Sequence, residues 1–291
     1  MTRRALVVLC AVLACALPGA NARAGTFAVL SQNTLHMGWG DPATYVNPKN
    51  AYLRDNQVGT AYDIVLLQEV MPKLGGLTTV WPNAPVGSYY VYESPPQGAS
   101  SSYLENYGTL VKASLYWQPV QVNGTYYPCY TGGGFSRPPC GVLVRVPPPQ
   151  PLPPVPPPSV YTWFIDYHAI FSSVANRTTE VRNMNAAVLW FQTQNVGGQT
   201  YARAVVGADW NFDATDLTAI LTIAGTITPD VETSLNRAGA LSSRYDHFWC
   251  IGGVVCANGA RIDPPPAPFN TLPLFRANVS DHLAVRVDVT Y

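Results

Sequence analysis

The feature that most constrains this chain is a series of short apolar runs of strand length, several of which stop abruptly at a carboxylate, an amide or an imidazole. The runs are Phe27–Gln32, Ile64–Gln68, Tyr107–Leu115, Val142–Val146, Tyr161–Tyr167, Ala204–Ala208, Tyr245–Ile251 and Leu283–Val289. Each is bounded by turn-forming residues, the pattern of strands with buried faces. Between them, Thr178–Gln194 places Val181, Met184, Ala187, Val188 and Phe191 at helical spacing. A second helix is expected to start at Asp213 or Thr215. Strands interleaved with helices imply α/β layering around a covered sheet. At 291 residues the chain holds one large domain or two small ones, and 47% hydrophobic against 12% charged residues supplies a large core rather than a disordered chain.

Residues 1–24 read as a secretory signal. Arg3 and Arg4 precede the apolar run Ala5–Leu17, and Ala22-Arg23-Ala24 is a small-x-small cleavage site that would leave Gly25 at the mature N-terminus. Secretion or periplasmic export follows. A lipoprotein reading is carried by Cys15 after Val12-Leu13-Ala14. No later stretch nears the roughly 20 apolar residues of a membrane span, so stable membrane insertion is not expected. Without its leader the chain has 14 basic and 17 acidic residues, a net charge of about −3. That excludes a broadly basic nucleic-acid clamp, so attraction to a polyanion would need a metal ion and a few placed arginines. Four cysteines remain after cleavage, and their short spacings favour Cys129–Cys140 and Cys250–Cys256. A zinc site is the competing reading, weakened by the lack of a Cys-x-x-Cys pair.

The polar residues at the strand ends are those that phosphodiester hydrolysis requires. The reaction needs a metal to neutralise the phosphate, an activated water, and an acid for the leaving oxygen. Hard cations take carboxylate and amide oxygens. Asn33 follows the first run and Gln68-Glu69 closes the second. His168 closes the fifth, Gly207-Ala-Asp209-Trp-Asn211 follows the sixth, Asp246 opens the seventh, and Ser280-Asp281-His282 precedes the last. Any one alone is weak, because such residues are common in turns. Their repetition at strand ends, where layered α/β folds assemble sites, points to one centre.

In this order, Asn33, Gln68-Glu69, His168, Gly207-x-Asp209-x-Asn211, Tyr245-Asp246 and Ser280-Asp281-His282 resemble the motif series of the endonuclease/exonuclease/phosphatase superfamily across essentially the whole mature chain. Tyr103-Leu-Glu105 and Phe135-Ser-Arg137-Pro-Pro139 resemble segments of the deoxyribonuclease I family in particular. His168-Ala169 and Leu283-Ala-Val are also similar to the catalytic subunit of cytolethal distending toxin. The resemblance implies a four-layer α-β-β-α sandwich of two packed mixed sheets flanked by helices, with 25–291 as a single domain. It implies that Glu69, Asn33, Asp209, Asn211 and Asp281 bind Mg²⁺, with Mn²⁺ or Ca²⁺ as substitutes. His168, polarised by Glu105, would be the acid, and His282, oriented by Asp246, the base. Which imidazole takes which part stays open. Arg137, Tyr103 and Asn211 would bind substrate.

In the family an Arg usually follows the metal-binding Glu by two residues, and Met71 stands there. The proline-rich stretch 147–158 reads either as a domain linker or, following the resemblance, as a hairpin tip joining two paired strands. Three functions remain in view. The first is a monomeric, metal-dependent endonuclease cutting DNA to 5′-phosphate ends. The second is a phosphodiesterase or phosphatase for a lipid or small phosphoester, sphingomyelinase-like or inositol-phosphatase-like, with Trp39 or Tyr89-Tyr90 as membrane contacts. The third is a non-catalytic secreted module that docks a partner on its prolines. His36 and His247 carry no expected role.

Overall fold

The computed structural model describes residues 25–58, 61–81, 89–100, 103–113, 118–146, 159–264 and 268–290. The expected leader and the stretch 147–158 lie outside them. One mixed sheet contains β1 (Thr26–Met37), β2 (Ile64–Val70), β3 (Tyr89–Glu93), β4 (Gln97–Ser100), β5 (Tyr103–Lys112), β14 (Val255–Arg261) and β15 (Val285–Thr290). Its order is β14-β15-β1-β2-β5-β3, with β4 also paired to β5, and β1–β2 is its parallel pair. The second contains β6 (Gln118–Val120), β7 (Cys140–Val146), β8 (Val160–His168), β9 (Ala204–Asp209), β10 (Gly225–Thr228) and β13 (Asp246–Ile251). Its order is β10-β13-β9-β8-β7-β6, with β8–β9 parallel. A short ribbon, β11 (Ser234–Leu235) with β12 (Leu241–Ser243), stands apart.

Alternation along the strands separates three apolar layers. Val29, Ile64 and Leu66 of the first sheet meet Val142, Val144, Phe164, Val205 and Phe248 of the second, forming the core between the sheets. Their neighbours Leu30, Val65 and Leu67 point the other way, towards Tyr52, Leu53 and Phe275. On the far side of the second sheet, Trp163, Ile165, Ala204 and Val206 take the helix Val174–Thr193 through Val181, Met184, Val188 and Phe191. Strands with both faces covered read as continuous apolar runs, as β2 does with every residue buried. The result is the expected α-β-β-α sandwich.

The long helix starts a turn earlier than its apolar pattern, because Ser173 caps it by accepting from the Asn176 N–H. The helix after Phe212 spans Ala214–Ile220, with Asp213 at its N-cap position. The strand expected from Tyr107 starts at Tyr103, so β5 carries Glu105 within it. Both expected disulfides form. Cys129–Cys140 pins a loop to the start of β7, while Cys250–Cys256 ties β13 of one sheet to β14 of the other. Strands β7 and β8 pair antiparallel up to Val146 opposite Val160, on either side of the proline-rich stretch. The sheets approach closely at Gly207, where a Cβ would lie 2.6 Å from Leu66 Cδ1 and 3.2 Å from Ser31 Cβ.

Candidate active site

The site follows from register. In the parallel pair β1–β2, Asn33 stands opposite Gln68; in β8–β9, His168 stands opposite Asp209; and in β9–β13, Asp209 faces Asp246. Polar residues that end apolar strands are thereby gathered at one end of both sheets. Two bulges sharpen this arrangement. The register between β1 and β2 shifts after Asn33, and that between β2 and β5 shifts after Leu67. Glu69, between them, adopts φ +56°, and Asn211 just past β9 adopts φ +53°. Left-handed backbone costs a non-glycine residue about 1 kcal/mol or more, and such strain concentrates where side chains must be aimed.

At the centre, the Asn33 amide donates to Glu69 Oε1 (3.1 Å) and to Asp209 Oδ2 (3.0 Å). On one side, His168 Nε2 lies 3.6 Å from Asp209 Oδ2 and 3.8 Å from Glu69 Oε1, while its Nδ1 meets Glu105 Oε1 at 2.8 Å. On the other side, His282 Nε2 lies 3.5 Å from the same Asp209 oxygen, and its Nδ1 meets Asp246 Oδ2 at 2.8 Å. Two imidazoles, each backed by a carboxylate, thus converge on one aspartate. The loop bearing His282 is tied to β1: Ser280 donates to the Asn33 carbonyl (2.7 Å) and Gln32 donates to the His282 carbonyl (2.7 Å).

The remaining expected residues take more varied places. Arg137 is buried and bound to Glu105 Oε2 (3.1 Å) and the Ala169 carbonyl (2.8 Å). Asn211 donates to that same carbonyl (2.9 Å), and its backbone N–H donates to Asp209 Oδ1 (3.0 Å). Tyr103 shares a hydrogen bond with His36 Nε2 (3.0 Å). Asp281 pairs with Arg276 at 3.7 Å, and the two carboxylate–imidazole clusters, Glu69-Glu105-His168 and Asp209-Asp246-His282, form without it. His36 was missed by sequence reasoning: its Nε2 lies 3.2 Å from Glu69 Oε2, and its ring adjoins Trp39 and Tyr103. Lys73 lies over the Trp39 ring at 3.4 Å, so a cation stands near the site although Met71 is buried. His247 is structural, its ring nitrogens bonded to the carbonyls of Pro229, Phe212 and Arg244.

The two imidazoles are pushed in opposite directions by their surroundings. Burial, then Arg137, pushes His168 down to about 4. Burial also opposes charge on His282, but Asp246 and Asp209 outweigh it and hold that imidazole well above its ordinary value. Burial raises Glu105 to about 7 against the pull of Arg137. The surroundings thus disfavour charge on His168 and favour it on His282. Two cavities flank the centre: one of about 310 Å³ bordered by Glu69, Tyr103, Arg137, His168 and Phe171, the other of about 590 Å³ bordered by Asn211 and Tyr245.

The donor set suits a hard cation. Glu69 and Asp209 present oxygens to a common neighbour, Asn33, while the Arg137 guanidinium is engaged by Glu105. Both Nδ1 atoms are taken by carboxylates, leaving only Nε2 of each imidazole facing the centre.

No protein-family model matches the sequence, and no curated protein matches it. Solved structures do. D. rerio TDP2 complexed with a single-strand DNA product is 12% identical with a TM-score of 0.61, covering 92% of this chain and all of that one. The human Nocturnin catalytic domain with bound sulfate is 12% identical with a TM-score of 0.59, covering 91% and 94%. An endonuclease/exonuclease/phosphatase family protein from Bacteroides thetaiotaomicron is 12% identical with a TM-score of 0.59, covering 92% and 98%. Among the described residues no helix is long and apolar enough to cross a membrane. The chain therefore has the two-sheet fold of the endonuclease/exonuclease/phosphatase proteins.

Proposed function

We propose that the chain is a secreted or periplasmic, monomeric, divalent-metal-dependent endonuclease that hydrolyses DNA phosphodiesters to 5′-phosphate and 3′-hydroxyl ends. The observation that carries this reading is the convergence of His168 and His282 on Asp209, each imidazole backed by its own carboxylate. The structural similarity to a TDP2 bound to single-strand DNA product supports a nucleic-acid substrate. Glu69 and Asp209 would hold Mg²⁺, or Mn²⁺ or Ca²⁺ in its place, with Asn33 orienting both carboxylates through its amide N–H and Asn211 and Asp281 beside them. Such a cation would neutralise phosphate charge and polarise the P–O bond.

The chain's own groups supply the proton transfers. A water oxygen attacks phosphorus, the P–O3′ bond breaks, and the leaving oxygen takes a proton. The opposite directions of the two shifts suit His168 as acceptor of the water's proton and His282 as donor to O3′, the reverse of the division implied by the family resemblance. Glu105 and Asp246 fix the Nδ1 side of each ring so that Nε2 faces the reacting atoms. Arg137 and Tyr103 border the cavity next to His168 and would position the substrate chain. Plasmid nicking with Mg²⁺, with and without chelator, tests the reading. His168→Ala should abolish nicking in a folded protein, and chelator-insensitive nicking would refute metal dependence.

A second reading, a lipid phosphodiesterase, is favoured by Phe171 and Val174, which are 77% and 61% exposed close to the site. Hydrolysis of sphingomyelin vesicles in preference to DNA would support it.

A further inference from the structure

The cavity of about 590 Å³ beyond Asn211 is chemically unlike its neighbour. Its walls include Arg177, Asp213, Asp216, Glu232, Arg244 and Tyr245. It adjoins the reacting centre through two of its lining residues. Asn211 is fixed to Asp209 and Ala169, and the Tyr245 ring is inclined 29° to the His282 imidazole with centroids 6.5 Å apart. A group placed there would thus lie on the His282 side of the scissile phosphate.

The charges exclude one kind of occupant. Arg244 pairs with Asp230 at 3.3 Å, and Arg177 donates to the Asn211 carbonyl at 2.7 Å. Arg244 is offset by Asp230, leaving Arg177 alone against three carboxylates on the walls, so a running phosphate backbone would meet net repulsion. A neutral group rich in N–H donors would not. Carboxylates accept from the exocyclic amino groups of cytosine, adenine and guanine, and from guanine N1–H. Thymine has no exocyclic amino group. The Phe212 ring, 5.0 Å from the Arg177 guanidinium, adds an aromatic wall to this cavity.

We propose that this cavity is a nucleoside subsite that takes one unstacked base of the substrate, on the His282 side, and selects amino-bearing bases over thymine. The inference rests on the hydrolytic reading above and narrows it to single-stranded or locally opened DNA. Duplex DNA pairs the edge that the carboxylates would read, and its second strand would bring further phosphates to an acidic wall.

The experiment uses the full mature chain with Mg²⁺ and three substrates: bis(p-nitrophenyl) phosphate, which has no base, two series of single-stranded oligonucleotides differing only in the base 5′ or only in the base 3′ to the cut, and sphingomyelin vesicles. Hydrolysis of the base-free diester tests the hydrolytic reading by itself. The subsite predicts that oligonucleotides with cytosine or guanine at the cavity position are cut about tenfold faster than those with thymine, the discrimination of one good base-edge contact. In Asp216→Asn and Glu232→Gln, each checked for an unchanged unfolding midpoint, that ratio should fall towards one. Base-free hydrolysis with no discrimination by the wild type, or discrimination surviving in both variants, overturns the subsite and leaves the hydrolytic reading standing. Faster turnover of sphingomyelin than of any oligonucleotide also overturns it. Failure to hydrolyse any of the three overturns both readings.

Discussion

Removing the His282 imidazole distinguishes a proton donor from a proton acceptor. His282 is oriented by the 2.8 Å contact of its Nδ1 with Asp246 and presents Nε2 3.5 Å from Asp209, so His282→Ala deletes a group held in place on both sides. Positioned acid–base catalysis contributes about 10²–10⁴-fold, or roughly 3–5 kcal/mol of barrier. If His282 delivers the proton to the leaving oxygen, that loss should appear in full on DNA, whose leaving group is an alkoxide. It should shrink to below about tenfold on a thymidine p-nitrophenyl phosphodiester, whose leaving group departs without a proton. His168→Ala, which removes the acceptor for the water's proton, should lose about the same factor on both substrates. Steady-state kcat/KM for the two substrates and two variants gives the four numbers needed. Equal losses for His282→Ala on both substrates, or recovery of His168→Ala instead, would refute the donor role drawn from the opposite shifts.

Asp209→Asn and Glu69→Gln should each lower nicking by at least about 10²-fold, and both should lose the several-degree rise in unfolding midpoint that saturating Mg²⁺ gives the wild type, since a ligand at 100 times its Kd stabilises by about 2.7 kcal/mol. Lys49 is buried, donates to the Val279 carbonyl, and is held by burial down at about 7. Its folded value lies below its unfolded value of 10.5, so the penalty is absent above about 10.5 and fully present below about 7. Lys49→Met should therefore stabilise the protein more at about pH 6.5 than at about pH 10.5, and denaturant midpoints showing the opposite order would contradict that sign. Gly207→Ala should cost about 1–3 kcal/mol, read from chemical denaturation, because the added methyl meets Leu66 and Ser31 between the sheets.

Much of this arrangement is legible in the sequence, for a physical reason. A strand covered on both faces must be apolar along its length, so a carboxylate at its end, as at Glu69 or Asp209, marks where the core stops. Helix Val174–Thr193 was legible through its buried stripe, though its first turn depends on a serine cap with no apolar signal. Edge strands such as β14, whose residues are half-exposed or exposed, carry no alternation to read. His36 escaped notice because a left-handed turn at Leu35 and His36 brings it to Glu69, and such a conformation leaves little trace in side-chain pattern. The opposite pulls on the two imidazoles come from burial and Arg137 at His168 and from Asp246 and Asp209 at His282, contacts that the chain order does not disclose. Asp281, beside His282 in the chain, directs its carboxylate to Arg276.

Because Asn33, Glu69 and Glu105 ride on one sheet while His168, Asp209 and Asp246 ride on the other, the chemistry measures the gap between the layers. Swelling of that interior by even an ångström would part Asn33 from Asp209 before any strand came loose. Catalytic competence should accordingly fade at denaturant concentrations where backbone structure is still intact, making turnover a finer gauge of layer spacing than circular dichroism.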